Sequence, residues 1–429
     1  MTDHLSRLTE VFNDEEDARV CKDISEDACK VVRGNFTLIL CSQFFSKLAD
    51  ALASAKVVLP WLMTSIGAPV FLSGLLVPIR ESGSLIPQLF IGGVIRRFAQ
   101  RKTFYVLGAC IQALSIAGMA WVVLNLRDLT GGLAIIALLS VFSLARGLCS
   151  IASKDVLGKT IAKQKRGSLS GYAATAAGAI GMVVGFVLLF DLNMQENLPW
   201  LLVGAAACWF ISAALYQLVR EFDGETEGSD NGFLHALKSL NIVKDDKEFR
   251  QFVITRCLLM SSGLSAPYFI ILAQSNQQDN HYTNLGLFIV ISGLASFVSA
   301  SVWGKLADNS SRCVIVITAL LVTLLCLSGG VIDALGLSNN SWLVMSLFFL
   351  LSVTHQGVRL GRKTYLVNMA NGNQRTRYVA VSNTIIGFLL LLLGLLSALL
   401  AQFSLTAVFA IFALSSASAL CISLQMKDV

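Results

Sequence analysis

The chain has 429 residues, of which 55% are hydrophobic and 14% charged; soluble domains carry roughly 25% charged residues, so water is excluded as the main solvent of this protein. A formal net charge of +6 does not signal nucleic acid, because the cationic residues fall between apolar segments and form no single basic stripe. Ten cysteines stand singly without a CxxC pair, the four histidines are far apart, and no HExxH, GxSxG, GxxxxGKS or GxxxxGKT string occurs. The pattern offers no metal site, cofactor site, disulfide framework or soluble-enzyme chemistry, and the cysteines read as small apolar residues.

Residues 1–34 are polar and acid-rich (NDEEDARVCKDISED), the opposite of a basic, then apolar, signal peptide, and are expected to stay in the cytoplasm. A helix crosses a hydrocarbon core with about 20 apolar residues, because its backbone satisfies its own hydrogen bonds. Twelve segments meet that length: 36–59, 68–91, 103–125, 132–152, 168–190 and 198–219, then 251–273, 284–303, 313–332, 341–358, 378–401 and 404–424. The connection at 220–250 opens with the acidic EFDGETEGSD, continues with Leu234, Leu237 and Leu240 suited to a membrane or protein surface, and divides six segments from six. The expected architecture is an all-α membrane protein of twelve transmembrane helices in two pseudo-symmetric six-helix bundles, 35–219 and 251–425.

Lys and Arg are retained on the cytoplasmic side. The loop after segment 2 holds Arg96, Arg97, Arg101 and Lys102; that after segment 4 holds Lys154, Lys159, Lys163, Lys165 and Arg166; that after segment 10 holds Arg359, Arg362, Lys363, Arg375 and Arg377. Alternate loops carry only Arg127. Both termini are therefore placed in the cytoplasm, and a bacterial cytoplasmic membrane is the expected location. Glycines recur between the halves at offsets of 209 to 212 residues: Gly74 with Gly286, Gly92 with Gly304, Gly147 with Gly357, Gly178 with Gly387 and Gly185 with Gly394. Such small residues in register let helices approach closely around a site between two repeats.

Ionisable side chains at the bilayer centre cost about 2.5 to 3.5 kcal/mol each on insertion scales, so those present are candidates for function. Lys47 and Asp50 in segment 1, Arg80 and Glu81 in segment 2 and Arg146 in segment 4 are such residues, and the offset carries Arg80 and Glu81 onto the neutral Ser292 and Gly293. Two readings stand together. These groups neutralise one another as structural ion pairs, or they line a cavity in which Asp50 or Glu81 takes up a proton while Lys47, Arg80 or Arg146 holds an anionic or zwitterionic solute. Lys56 and Arg256 read as interfacial side chains that snorkel to the headgroups, His355 and Gln356 as residues at the inner end of segment 10, and Trp61 and Trp200 as headgroup anchors.

The sequence GGVIRRFAQRK from Gly92 to Lys102 resembles the GxxxDRxGRRK loop of the major facilitator superfamily, keeping the glycine, Arg97, Arg101 and Lys102 but placing Arg96 at the acidic position. A second copy, GKLADNSSR, runs from Gly304 through Asp308 to Arg312. The resemblance covers the chain from about Asn35 onward and implies that these loops clamp the cytoplasmic ends of the helices, with the first-half charge network in doubt. Segment 5 has Gly171, Gly178, Gly181 and Gly185 but no proline, and so departs from the GxxxGPxxGG of the family's drug antiporters. The resemblance implies a secondary transporter working by alternating access, with a lipid bilayer, a small solute and possible protons as partners. The alternative from another class is a non-transporting membrane protein using the same fold as receptor or assembly partner.

Overall fold

A computed structural model describes residues 29–88, 91, 95, 97–161, 163–189, 194–223, 242–274, 283–369 and 372–428. These residues are mostly helical, and no strand occurs among them. In chain order they are α1 (Val32–Leu52), α2 (Val58–Ser65), α3 (Val70–Leu85), α4 (Lys102–Asn125), α5 (Asp128–Thr160), α6 (Lys163–Leu189) and α7 (Met194–Gln217), then α8 (Lys247–Leu258), α9 (Ser261–Leu264), α10 (Ala266–Gln274), α11 (Thr283–Asn309), α12 (Ser311–Ala334), α13 (Ser341–Met369), α14 (Gly372–Leu400) and α15 (Leu405–Ser423). Leu114, Trp121, Phe186 and Leu392 are exposed on outward helix faces. Large apolar side chains spread over the surface in this way suit a lipid solvent.

Ten spans among the described residues are long and apolar enough to cross a membrane. The two that fall short are those predicted at 36–59 and 68–91. The first is interrupted between α1 and α2 and carries Lys47 and Asp50; the second is described as a helix of only 16 residues around Arg80 and Glu81. The charges that make these segments interesting are the same ones that lower their hydropathy. Segment 7 is interrupted as well, into α8, α9 and α10. Segments 1 and 7 correspond under the half-to-half offset, so both halves interrupt the same helix.

Within the first half α4 packs on α5 and α7, α1 on α6 and α7, and α3 on α5; within the second, α12 packs on α13 and α15, and α11 on α13. The halves meet chiefly through α3 with α14 and α6 with α11, which are equivalent pairs under the repeat. Matched glycines sit at these crossings. A Cβ on Gly147 would stand 3.1 Å from the Ser84 carbonyl oxygen of α3, and one on Gly357 would stand 2.6 Å from the Trp303 ring of α11. Likewise Gly185 faces Ile289 at 2.8 Å, while Gly394 has the Pro78 ring against it. Gly178 departs from its match, since nothing lies within 4 Å of it whereas Gly387 packs on Ile86.

Lipid tails are as apolar as leucine, so such close contacts, more than a hydrophobic drive, hold membrane helices together. Gly394→Val is therefore expected to push α14 off α3 and lower stability by about 1–3 kcal/mol, seen as a lower melting temperature in detergent, whereas Gly178→Val should leave it unchanged.

Three further expectations are corrected. Trp61 is buried at 3% exposure, with its ring 6.3 Å from Phe288 of the other half; the chain after Pro60 turns into the bundle, and only Trp200 lies exposed. The helices α5 and α13 run past their predicted ends at 152 and 358 to Thr160 and Met369, because helix continues where hydropathy stops. Cys29 is disulfide-bonded, a pairing that isolated spacing in sequence does not reveal.

Candidate functional site

Three helices of the first half converge on one carboxylate. Asp50, near the end of α1, accepts from Arg80 Nη2 of α3 at 2.8 Å and from Arg146 Nη1 of α5. The exposures of these side chains are 10% for Arg80, 22% for Asp50 and 33% for Arg146, so the bridge is partly open to solvent. Asp50 is thus a bridge between two guanidinium groups, each an oriented charge-assisted bond. Lys47, one turn earlier, is half-buried and within electrostatic reach of Asp50, Arg146 and Arg359. Glu81 follows Arg80; it is exposed, makes no ion pair among the described residues and lies within reach of Lys56, Arg80, Arg146 and Arg359.

Lys56 does not snorkel. It sits in the interruption between α1 and α2, and its Nζ is 2.7 Å from His355 Nε2 on α13. With the ammonium donating, Nε2 accepts, and Nδ1 carries the hydrogen that bonds Ser262 Oγ at 3.0 Å; Ser262 in turn donates to the Leu259 carbonyl at 2.8 Å. The broken segments 1 and 7 and the middle of α13 are joined at this point, across the two halves. His355 lies 14 residues into α13, about 21 Å along its axis, and not at its end.

Sequence reasoning also missed Arg359 and Arg362. Counted as loop charge, they lie on α13 one and two turns beyond His355. The i, i+4, i+7 spacing of His355, Arg359 and Arg362 puts all three on one helix face, and this was the signal that could have found them. Arg256 is held from α8 to α14, its Nη1 donating to Ser382 Oγ at 2.8 Å and its Nη2 to Asn383 Oδ1 at 3.0 Å.

The basic-loop motif is only partly described. Gly92 and Arg96 lie outside the described residues, and so do Leu234, Leu237 and Leu240; Arg97 is in an exposed turn. Arg101 Nη1 pairs with Asp155 of α5. Glu221 Oε2, with no exposed side-chain surface, accepts the backbone N–H groups of Arg101 and Lys102 at 2.7 Å each, and its Oε1 meets Lys159 Nζ at 3.2 Å. Lys102 Nζ reaches the carbonyls of Gln217 and Val219. Acids from α5 and from the chain after α7 thus serve the first-half loop that has Arg96 at its acidic position.

In the second half Gly304 has nothing within 4 Å, Asp308 is on α11 with its side chain outside the description, and Arg312 Nε donates to the Ser423 carbonyl of α15 at 3.4 Å. Asp246 caps α8, accepting from Phe249 N–H at 3.0 Å and from the Tyr378 hydroxyl. Burial raises its carboxyl, but those donors outweigh burial and hold it below the usual carboxylate range. Each of these contacts stays within one half. By contrast, Thr64 Oγ1 to Gln274 Oε1 at 2.9 Å and Trp61 on Phe288 link the halves at the opposite end.

Two helical halves with paired broken helices, and charged side chains set among membrane-length spans, define a multi-pass membrane protein. The chain belongs to the Major Facilitator Superfamily, which it matches over residues 39–327 and 257–425. It is similar in fold to the nucleoside transporter NupG (13% identity, 91% of this chain and 99% of that one, TM-score 0.70). The xylose transporter XylE from E. coli in an inward-open conformation is comparably similar (12% identity, 92% and 97%, TM-score 0.68), as is a POT family transporter in complex with 5-aminolevulinic acid (11%, 92% and 95%, TM-score 0.68). No curated protein matches the sequence.

Proposed function

We propose that this protein is a secondary transporter that moves a small anionic or zwitterionic solute through the central cavity by alternating access. The observation that carries the reading is the excess of cationic groups there: among the described residues, Lys47, Lys56, Arg80, Arg146, Arg359 and Arg362 are set against Asp50 and Glu81. Intramembrane charges in such excess are expensive without a function. Contacts between the halves at the end away from the basic loops, with the ion pairs among the described residues at the basic end each inside one half, suit two bodies that rock about a midplane site. The positive-inside rule puts the basic end and both termini in the cytoplasm, with 35–219 and 251–425 as the rocking bodies. NupG, XylE and the POT protein are named as transporters, which supports the class and leaves the solute to this chain's own residues.

Coupling to protons is assigned to Glu81. Asp50 is committed to two arginines, whereas Glu81 is open to the cavity and close to the Lys56–His355 contact. In proteoliposomes, Glu81→Gln is expected to abolish proton-driven accumulation while leaving solute counterflow within about threefold of wild type, since each 1.4 kcal/mol is tenfold. Equal proton dependence in variant and wild type would remove Glu81 from the coupling step. Binding without flux in either protein would favour the receptor reading of the fold.

A further inference from the structure

The second half holds cations with no ion-pair partner among the described residues. Arg256 is half-buried between α8 and α14, its partners are the neutral Ser382 and Asn383, and its Nε is buried without a partner. Arg362 lies within electrostatic reach of Arg256, and Arg359 within reach of Arg362. Among the described residues no carboxylate comes within ion-pair distance of any of the three. The acid that acts on Arg362 is Glu81 across the cavity, which already faces Lys56 and Arg80. The first half is the opposite case, because Asp50 there bridges Arg80 and Arg146.

We propose that Arg256, Arg359 and Arg362 form an anion subsite on the second half that takes a doubly charged oxyanion group, a phosphomonoester or a dicarboxylate, whose charge is the counter-ion these arginines lack. The inference rests on the central cavity being the solute path and deepens that reading by naming the solute class. Taking a guanidinium nitrogen out of water, as at Arg256 Nε, is unfavourable unless a partner repays it, and the half-buried Arg362, within reach of Arg256 and of the exposed Arg359, adds repulsion. Arginine also suits the ligand, because its planar fork binds carboxylate and phosphate through two parallel bonds, which a lysine ammonium does not.

The test is ligand-induced thermal stabilisation of the purified full chain in detergent, at constant ionic strength, with inorganic phosphate, succinate and acetate as probes. Phosphate or succinate is expected to stabilise the wild type where acetate at the same concentration does not; phosphate alone assigns the tetrahedral group, succinate alone the dicarboxylate. Arg359→Gln, Arg362→Gln and Arg256→Gln should each weaken the effective probe about tenfold or more, with Arg127→Gln on the opposite side as an unchanged control. Arg359→Lys keeps the charge without the fork and should fall between, which separates binding from misfolding. Acetate acting as strongly as the dianions, no probe stabilising the wild type, or arginine variants binding like wild type would each overturn the subsite. Charge-selective binding without flux in vesicles would instead overturn transport and leave the subsite standing.

Discussion

Asp50→Asn is expected to lower stability by about 3 kcal/mol and to be partly rescued by a second change, Arg146→Gln. Removing one partner of a buried ion pair costs about 3–5 kcal/mol, because the other charge is stranded. Here two guanidinium groups are stranded at once, yet 22% of the Asp50 side chain reaches water, so the lower end of the range applies. If the bridge is what Asp50 contributes, the double variant loses less than the sum of the singles, since neighbours sharing one interaction are not additive. Melting temperatures of the four proteins in detergent measure this. Additive losses would mean that Asp50 and Arg146 do not depend on one another, and the structural account of the bridge would fail. The same variants separate the two readings of the first-half charges. A pure clamp leaves the pH dependence of transport intact in Asp50→Asn, and a proton carrier does not.

The overall plan was legible in the sequence because hydropathy and loop charge report what a bilayer requires. The repeat was legible for a related reason: Gly147 and Gly357, and Gly185 and Gly394, lie at equivalent helix crossings where a larger residue would collide. What the sequence concealed came from the same rules applied at their limits. Hydropathy ended segment 10 at 358, so Arg359 and Arg362 were counted as loop charge although helix continues to Met369. The interruption after Leu52 carries no proline or glycine until Pro60. Nothing local therefore announced that Lys56 would turn inward to His355, almost 300 positions later in the chain. Asp50, Arg80 and Arg146 were found, since charge within an apolar run is visible without a partner; their convergence on one carboxylate was not.

The acidic position taken by Arg96 had left the first-half loop without an obvious anchor, and Glu221 fills that role from a place the motif does not cover. Its fully buried carboxylate holds the first two N–H groups of α4 and meets Lys159 of α5. A carboxylate at a helix start satisfies orphan donors and opposes the positive end of the helix dipole. Glu221→Ala is expected to lower stability by about 3–5 kcal/mol, because Lys159 is then stranded beside two unsatisfied N–H groups. Glu221→Gln keeps an acceptor for the helix start but loses the charge, and should lie between the alanine variant and wild type in melting temperature. An alanine variant as stable as wild type would show that Asp155, which also reaches Lys159 at 3.6 Å, anchors the loop alone. Because α4, α5 and the end of α7 all meet at Glu221, the loss should also loosen the basic end of the first half as a unit. Faster proteolysis between Phe98 and Lys102 in the variant than in the wild type would register that loosening, separately from global unfolding.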